Sequence, residues 1–114
     1  MTDSEITDDY MREMMGTSKP YSILILKKGP NYAMEGADKI IWEHGRRNFQ
    51  LRADGRLAIV LPIRAEGELS GVGVFNLTPD ETREVMDEDP GVKAGVLVYE
   101  VHSTRSLPGD ALPA

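Results

Sequence analysis

Two side chains able to do acid-base chemistry fall at positions where apolar residues are expected. The first is His44, in the stretch 37–54, where apolar residues recur at the spacing of a helix. His44 and Asn48 lie in the middle of the apolar stripe. A histidine in this position is either a hydrogen-bonded core residue or a catalytic group that is partly shielded from water. The residues alone leave both interpretations open.

The second side chain is Asp89. Residues 78–81, Thr-Pro-Asp-Glu, have the spacing of a capping box with proline at the first helical position, which predicts the start of a helix. If this helix continues to Asp89, the carboxylate faces inward beside Met86. Asp87, Glu88 and Asp89 would then crowd the helix C-terminus, where the macrodipole disfavours anions. Solvation explains Asp87 and Glu88 better than Asp89, which makes Asp89 a candidate for function.

A histidine and an aspartate in contact are suited to general acid-base catalysis. The carboxylate would fix the tautomer of the imidazole and stabilise the imidazolium that forms when a substrate proton is taken. Such a pair could abstract a proton from a phenol or an activated carbon, and elimination or isomerisation would follow without a cofactor. Arg46 or Arg47 could hold an anionic group of the substrate, although their helical positions are expected to direct both away from His44.

Other kinds of catalytic site are disfavoured. No serine stands in a nucleophile-elbow sequence, and the sequence contains no cysteine. Its two histidines do not have the spacing of metal ligands, so no metal site is expected. In the predicted strand 69–77, Gly71 and Gly73 leave one face bare, and bare backbone admits either a ligand or a packed helix. His102 is expected to be an ordinary residue at the end of a strand.

The elements that must position these residues follow the order β-α-β-β-α-β. This order predicts an α+β, ferredoxin-like fold, in which two helices cover one face of a four-stranded antiparallel sheet. Residues 21–27 and 95–101 are apolar on both sides of their strands, so the face of the sheet without helices is expected to be apolar and uncovered. This predicts a homodimer in which two such faces stack. The predicted strands are 21–27, 56–64, 69–77 and 94–103, with the proline of 56–64 indicating a sheet edge or a bulge.

The two ends of the chain are expected to lie outside the main domain, which spans 21–105. Residues 1–20 form an appendage in which Ile6, Tyr10 and Met14 recur every four residues, predicting a short amphipathic helix capped by Asp3 or Ser4. Its apolar side packs on its own domain or a second subunit, or else forms a lid hinged at Gly16. Residues 106–114 contain two prolines and a glycine and predict an irregular tail.

Size and charge restrict the class of protein. A chain of 114 residues is expected to form one domain with one core. Thirteen basic against nineteen acidic residues give a net charge of -6, which disfavours binding to nucleic acid and to anionic membranes. The acidic first residues predict neither a signal peptide nor a membrane span, and the absence of cysteine favours a cytoplasmic location.

The stretch 21–105 resembles the YciI-related (YCII) family of the dimeric α/β-barrel superfamily. The resemblance rests on His44 twelve residues before Arg56, the strand ending in Pro62, the glycine-rich strand 69–77, and the sequence Asp-Pro-Gly-Val-Lys-Ala-Gly-Val at 89–96. Two departures are Leu61-Pro62, where the family usually has Gly-Pro, and Gly45-Arg46, where it has a hydrophobic pair.

The resemblance implies that His44 and Asp89 are an active-site dyad. Dehydrochlorination of a hydroxylated ring is a known activity in this family, and related barrels include lactone isomerases and small monooxygenases. The function expected is therefore that of a lyase or isomerase without a cofactor, acting on a small aromatic or lactone-like molecule. The candidates for substrate-binding residues are Asn48, Gly71, Gly73 and Arg47.

A second hypothesis is a protein without catalytic activity. In this interpretation, the chain is a homodimer that binds a small molecule or another protein. His44, Asn48 and Asp89 then form a buried polar network that fixes the packing of the core. The two hypotheses differ in whether the dyad lies beside an open pocket or inside a sealed core.

Overall fold

The computed structural model describes residues 5–114 as an α+β fold with a four-stranded antiparallel sheet. The elements are α1 (Asp8–Gly16), β1 (Lys19–Lys28), α2 (Ala37–Ala53), β2 (Leu57–Pro62), β3 (Leu69–Phe75), α3 (Pro79–Asp87), α4 (Pro90–Lys93) and β4 (Leu97–Ser106). The sheet has the strand order β2-β3-β1-β4, so that β1 and β3 are central. This order is compatible with the ferredoxin-like arrangement.

The core lies between the helices and one face of the sheet. Alternate residues of β1, Leu24 and Leu26, point to this face because successive side chains of a strand point to opposite sides. They belong to one buried cluster with Leu51 of α2 and Met86 of α3. On the opposite face of β1, Ile23 and Ile25 are only half-buried. The strand is therefore fully buried on one side and partly exposed on the other.

The edge strand β2 confirms the expectation attached to its proline. Pro62 is the last residue of β2, which pairs on one side only, with β3. An edge position tolerates proline because the missing N–H is not needed by a neighbouring strand. The pairing of β2 shifts register between Leu57 and Ile59, which is the geometry of a bulge.

The capping box begins α3 as predicted, but the helix is shorter than expected. The hydroxyl of Thr78 accepts a hydrogen bond from the backbone of Glu81, whose carboxylate in turn accepts one from the Thr78 backbone. The helix ends at Asp87, so it does not continue to Asp89, which was the condition for the inward orientation considered above. Pro90 is the reason, since proline disfavours helical torsion angles in the residue before it, and Asp89 has an extended ψ of 133°.

The helix α1 stands apart from the rest of the fold. Its N-cap is Thr7, whose hydroxyl accepts from the backbone of Tyr10, whereas the expected caps Asp3 and Ser4 lie outside the described residues. None of its residues is buried, and only Met14 is half-buried. The radius of gyration of 16.9 Å exceeds the roughly 13 Å of a compact domain of this length, as a projecting arm requires.

The helices of the fold are short or carry many polar residues. Within residues 5–114, every helix is too short or too polar to cross a bilayer.

Candidate active site

The structure brings His44 and Asp89 into direct contact. Nδ1 of His44 lies 2.8 Å from Oδ1 of Asp89. His44 is on the buried side of α2 with Ala37 and Leu51, as its place in the apolar stripe predicts. Only 8% of the His44 surface and none of the Asp89 surface is exposed. The hydrogen bond is therefore almost completely shielded from water, which strengthens it.

Asp89 is held in place as the N-cap of α4. Its Oδ2 accepts hydrogen bonds from the backbone N–H groups of Gly91 at 2.9 Å and Val92 at 3.2 Å. Oδ1 is thereby directed towards His44. The expected position at an unfavourable helix C-terminus is thus replaced by a position at the start of a helix, where a carboxylate satisfies free N–H groups. Asp89-Pro90 repeats the signal of Thr78-Pro79, and this could have predicted the second start.

The charged form of Asp89 is favoured despite its burial. Burial acts to raise the pKa of the Asp89 carboxyl group, but the hydrogen bond and charge of His44 and the backbone N–H groups of Val92 and Gly91 together outweigh it. The result is a pKa below the usual value of 3.8. Asp89 is therefore an acceptor that can hold a proton on Nδ1 of the imidazole.

Asn48 lies at the other nitrogen of the ring. Its Nδ2 is 3.2 Å from Nε2 of His44, one helical turn along α2. In this assigned orientation of the amide, Nδ2 can only donate, so Nε2 accepts and the ring proton is on Nδ1, next to Asp89. Rotation of the amide by 180° would present its oxygen to a protonated Nε2. Asn48 can therefore hydrogen-bond to either protonation state of the ring.

Arg47 also lies at the dyad, and the expectation that it points away from His44 is wrong. Its Nη1 is 3.7 Å from Oδ1 of Asp89. Arg47 follows His44 by three residues, which places the two about 60° apart around the helix, within reach of a long side chain. Nη1 is buried and has no hydrogen-bond partner among the described residues. Arg46 instead projects to solvent and pairs with Glu43, so the expectation holds for it.

The loop 29–31, which the sequence did not indicate as part of the site, hydrogen-bonds to the residues that follow α4. The backbone N–H of Gly29 donates to the carbonyl of Val96 at 2.8 Å, and that of Asn31 donates to the carbonyl of Gly95 at 2.9 Å. The Asn31 side chain donates to the carbonyl of Ala94, just after the end of α4. A Cβ on Gly29 would lie 2.4 Å from the Gly95 oxygen, so only glycine permits this approach. The Gly-Pro-Asn sequence indicates a turn at 29–31, but local sequence does not show that this turn contacts residues 94–96.

The two glycines proposed for ligand binding, Gly71 and Gly73, lie on the buried face of β3. A Cβ on Gly73 would lie 3.2 Å from the Leu57 side chain, and one on Gly71 would lie 3.4 Å from the Leu61 carbonyl oxygen. On β1, Leu26 is the cross-strand partner of Gly71, and Leu24 is that of Gly73. The bare backbone is therefore occupied by the protein's own core.

The second histidine lies away from the dyad, on the other face of the sheet. His102 is paired with Ile23 inside β4, which continues to Ser106, so it does not end the strand as expected. Its Nε2 is 3.2 Å from a carboxylate oxygen of Glu100, which also forms an ion pair with Lys27. This exposed cluster gives His102 an acidic partner that the sequence did not suggest.

Two surface concavities lie outside the immediate dyad. One, of about 360 Å³, is a groove along α2 between Trp42 and Phe49. The other, of about 260 Å³, lies where β1 begins beside α3 and includes Tyr21 and Asn76. Neither is lined by His44 or Asp89. Among residues 5–114, no three or more histidine, cysteine, aspartate or glutamate residues are grouped so as to hold a metal ion.

The arrangement can move a proton at Nε2 of His44 while Asp89 balances the charge on the ring. The predicted residues His44, Asp89, Asn48 and Arg47 come together, whereas Gly71 and Gly73 pack in the core beside other residues. No protein-family model matches the chain, and a comparison with curated proteins gives no significant match.

Proposed function

We propose that the chain is a YciI-like enzyme that uses His44 and Asp89 for proton transfer, without a cofactor, on a small aromatic or lactone-like molecule. One observation carries this proposal: the Asp89 carboxylate, completely buried and 2.8 Å from Nδ1, leaves Nε2 as the proton-accepting atom of the ring. A buried, charged carboxylate behind a histidine is the arrangement required to stabilise an imidazolium.

The reaction begins when a substrate O–H or C–H group replaces the Asn48 amide at Nε2. Asn48 is half-buried and its amide is the group in contact with Nε2, so a substrate must displace it to reach that atom. The proton moves to Nε2, and its bonding electron pair remains on the substrate. In an elimination, a leaving group then departs with its own electron pair, and the imidazolium releases the proton to that group or to water. In an isomerisation, the imidazolium returns the proton to a different substrate atom, and His44 is restored.

Arg47 supplies the binding site for an anionic oxygen of the substrate. A buried guanidinium nitrogen without a hydrogen-bond partner among the described residues has already lost its water, so it gains strongly from an acceptor. Its position 3.7 Å from Asp89 places such an oxygen at the dyad. Phenolates, aromatic carboxylates and lactone oxygens are the chemical classes that fit this pair of functions.

The homodimer forms by stacking of the two open sheet faces. This proposal rests on Ile23 and Ile25 of β1 and Val72 and Val74 of β3, which are half-buried on the face opposite the core. Ile25→Glu would place a charge between the stacked sheets and is expected to yield monomers in light scattering coupled to size-exclusion chromatography. Val60→Glu, on the exposed helix-side face of β2, is the matched control.

The non-catalytic alternative has its own supporting observation. His44 is only 8% exposed and both of its ring nitrogens have partners, as in a polar network that fixes a core. In that case, the protein binds a small molecule or a protein partner, and His44 never exchanges a proton with a ligand.

A screen of phenols, aromatic acids and lactones distinguishes the two. Compounds that bind the native form raise the melting temperature, and NMR of the mixture then detects any product. The enzyme hypothesis expects turnover of a bound compound by the wild type and by His102→Gln, and loss of turnover with binding retained in His44→Gln. Equal turnover in His44→Gln would eliminate the dyad as the catalyst. Binding without turnover of any bound compound would favour the binding module.

A further inference from the structure

The side of α2 opposite His44 carries an apolar groove with no cover among the described residues. We define the α2 groove by Ile41, Trp42, Gly45 and Phe49, which line the concavity of about 360 Å³. Trp42 is 69% exposed and Phe49 is 72% exposed, although both are large aromatic side chains. Trp42 and His44 are two residues apart, so they face directions about 160° apart around the helix. The groove is thus separate from the dyad.

The arm α1 carries a second apolar surface that contacts nothing buried. Tyr10, Met11 and Met15 are all about half exposed or more, and Ile6 just before the helix is 63% exposed. Tyr10, Met11, Met14 and Met15 form one stripe of the helix, because residues three and four apart lie on one side of it, and Ile6 precedes Tyr10 by the same spacing. A helix whose apolar stripe meets no core does not form stably in water at this length. Its stability therefore requires a surface to pack against.

The stripe of the arm is short enough to lie within the groove. Tyr10 and Met14 are about 6 Å apart along α1, and Trp42 and Phe49 are about 10 Å apart along α2. Gly45 lies between the two aromatic residues, and the space beside its Cα is empty, since a Cβ there would meet nothing within 4 Å. A missing side chain at this point lets a second helix approach closely, as in other helix-in-groove interfaces.

The two surfaces also match in charge. Residues 5–16 contain four acidic residues and one basic residue, a net charge of -3. The exposed charged residues of α2 are three basic and two acidic ones, a net charge of +1; these are Lys39, Arg46 and Arg52, and Asp38 and Glu43, of which Asp38 and Arg46 line the groove. An acidic helix lying on this side of α2 gains from both apolar burial and electrostatic attraction.

The base of the arm is fixed where β1 begins. The guanidinium group of Arg105 in β4 donates to the carbonyl of Ser18 at 2.8 Å and to its hydroxyl at 3.1 Å. Ser18 immediately precedes β1, which lies between β3 and the edge strand β4, whereas α2 packs with β2 at the other edge of the sheet. The arm therefore does not start from the β2 side of the sheet, which favours the groove of another copy over its own.

We propose that α1 of one copy docks in the α2 groove of a second copy. The arm then clamps the helix that carries His44 from the outside, through Tyr10 and Met14 against Trp42 and Phe49. This docking requires a second copy but does not depend on catalysis at the dyad.

Trp42 is the only tryptophan of the chain, so its fluorescence reports on the groove directly. The wild-type chain is compared with Tyr10→Gln/Met14→Gln, which makes two residues of the stripe polar without changing the charge or lowering the helix-forming tendency. We expect Trp42 of the wild type to be protected from acrylamide quenching and to emit at shorter wavelength than in this double variant. Arg12→Gln, on the polar side of the arm, is the control and should retain the protection. Equal quenching in wild type and double variant would overturn the proposal.

A mixing experiment separates docking between copies from docking within one copy. Trp42→Phe, which has an intact arm and no tryptophan, is co-expressed with Tyr10→Gln/Met14→Gln, which has the tryptophan and no functional arm. Docking between copies restores protection of the remaining Trp42 in the mixed oligomer. An absence of protection in an oligomer shown by mass spectrometry to contain both chains would overturn it. Because fluorescence needs no substrate, this outcome is independent of the proposed enzymatic activity.

Discussion

His44 and Asp89 are 45 residues apart in the sequence, and their side chains meet at 2.8 Å because each is fixed by a different helix. His44 is on the buried side of α2, whereas Asp89 caps α4 with one carboxylate oxygen and faces the imidazole with the other. Capping and pairing are thus two functions of one carboxylate. Because each uses a different oxygen, substitutions at position 89 can separate them.

Asp89→Asn should preserve the fold while reversing the tautomer of His44. Asparagine caps helices as well as aspartate does, so its oxygen can still accept from Gly91 and Val92. Its NH2 group then faces Nδ1 as a donor, which forces the proton to Nε2 and removes the base. We expect a shift from the Nδ1–H to the Nε2–H tautomer in 15N spectra of the imidazole, and a loss of roughly 10²- to 10⁴-fold in turnover.

Asp89→Ala is the companion variant, since it removes both functions. Loss of the cap and of the partner of a buried histidine should lower the free energy of unfolding by about 3 kcal/mol. Urea denaturation measures this directly. If the alanine variant were no less stable than the asparagine variant, the capping function assigned to Asp89 would be wrong.

The stability contributed by Asp89 should be lost in acid. Burial raises the pKa of the Asp89 carboxyl group, but the hydrogen bond and charge of His44 and the backbone N–H groups lower it by more, so the folded pKa lies below 3.8. A group with a depressed folded pKa stabilises fully above its unfolded pKa, and this stabilisation declines as the pH falls towards the folded value. The stability difference between wild type and Asp89→Asn should therefore shrink as the pH falls below about 4. Denaturation at several pH values tests this, and an unchanged difference at about pH 2.5 would contradict it.

Arg47→Met should separate binding from stability. Nη1 of Arg47 is buried without a hydrogen-bond partner among the described residues, so replacing the guanidinium with an apolar group should change the free energy of unfolding by less than about 1 kcal/mol. Binding of aromatic carboxylates or phenolates should be lost, as measured by calorimetry. Arg46→Met, one residue earlier and exposed, is the control for the loss of a positive charge. Equal binding by the two variants would remove Arg47 from the site.

Gly91→Ala should displace the Asp89 carboxylate. A Cβ at this position would lie 2.8 Å from the Leu97 side chain and 3.0 Å from Oδ2 of Asp89. Since Leu97 is buried, the carboxylate and α4 must shift together, and we expect a loss of about 1–3 kcal/mol in stability. Gly16→Ala, at a position with open space and no positive φ, should leave stability nearly unchanged. Chemical-shift changes at His44 in the first variant alone would confirm the coupling.

Local chemistry in the sequence was sufficient to predict most of the fold. The apolar stripe of α2, the capping box of Thr78 and Glu81 and the proline at the end of β2 each act within a few residues, so their spacing can be interpreted directly. The inward orientation of His44 followed from the same spacing. The α+β class and the antiparallel sheet were predicted on this basis.

The tertiary structure decided how the candidate site is assembled. Asp89 reaches His44 from the start of α4 and not from the end of α3, and Arg47 reaches the same carboxylate although the helix positions suggested otherwise. These contacts depend on how α2 packs beside α4 and on the length of an arginine side chain. Spacing along one helix does not give the distance between two helices. It therefore could not show whether a side chain of a given length reaches from one helix to the other.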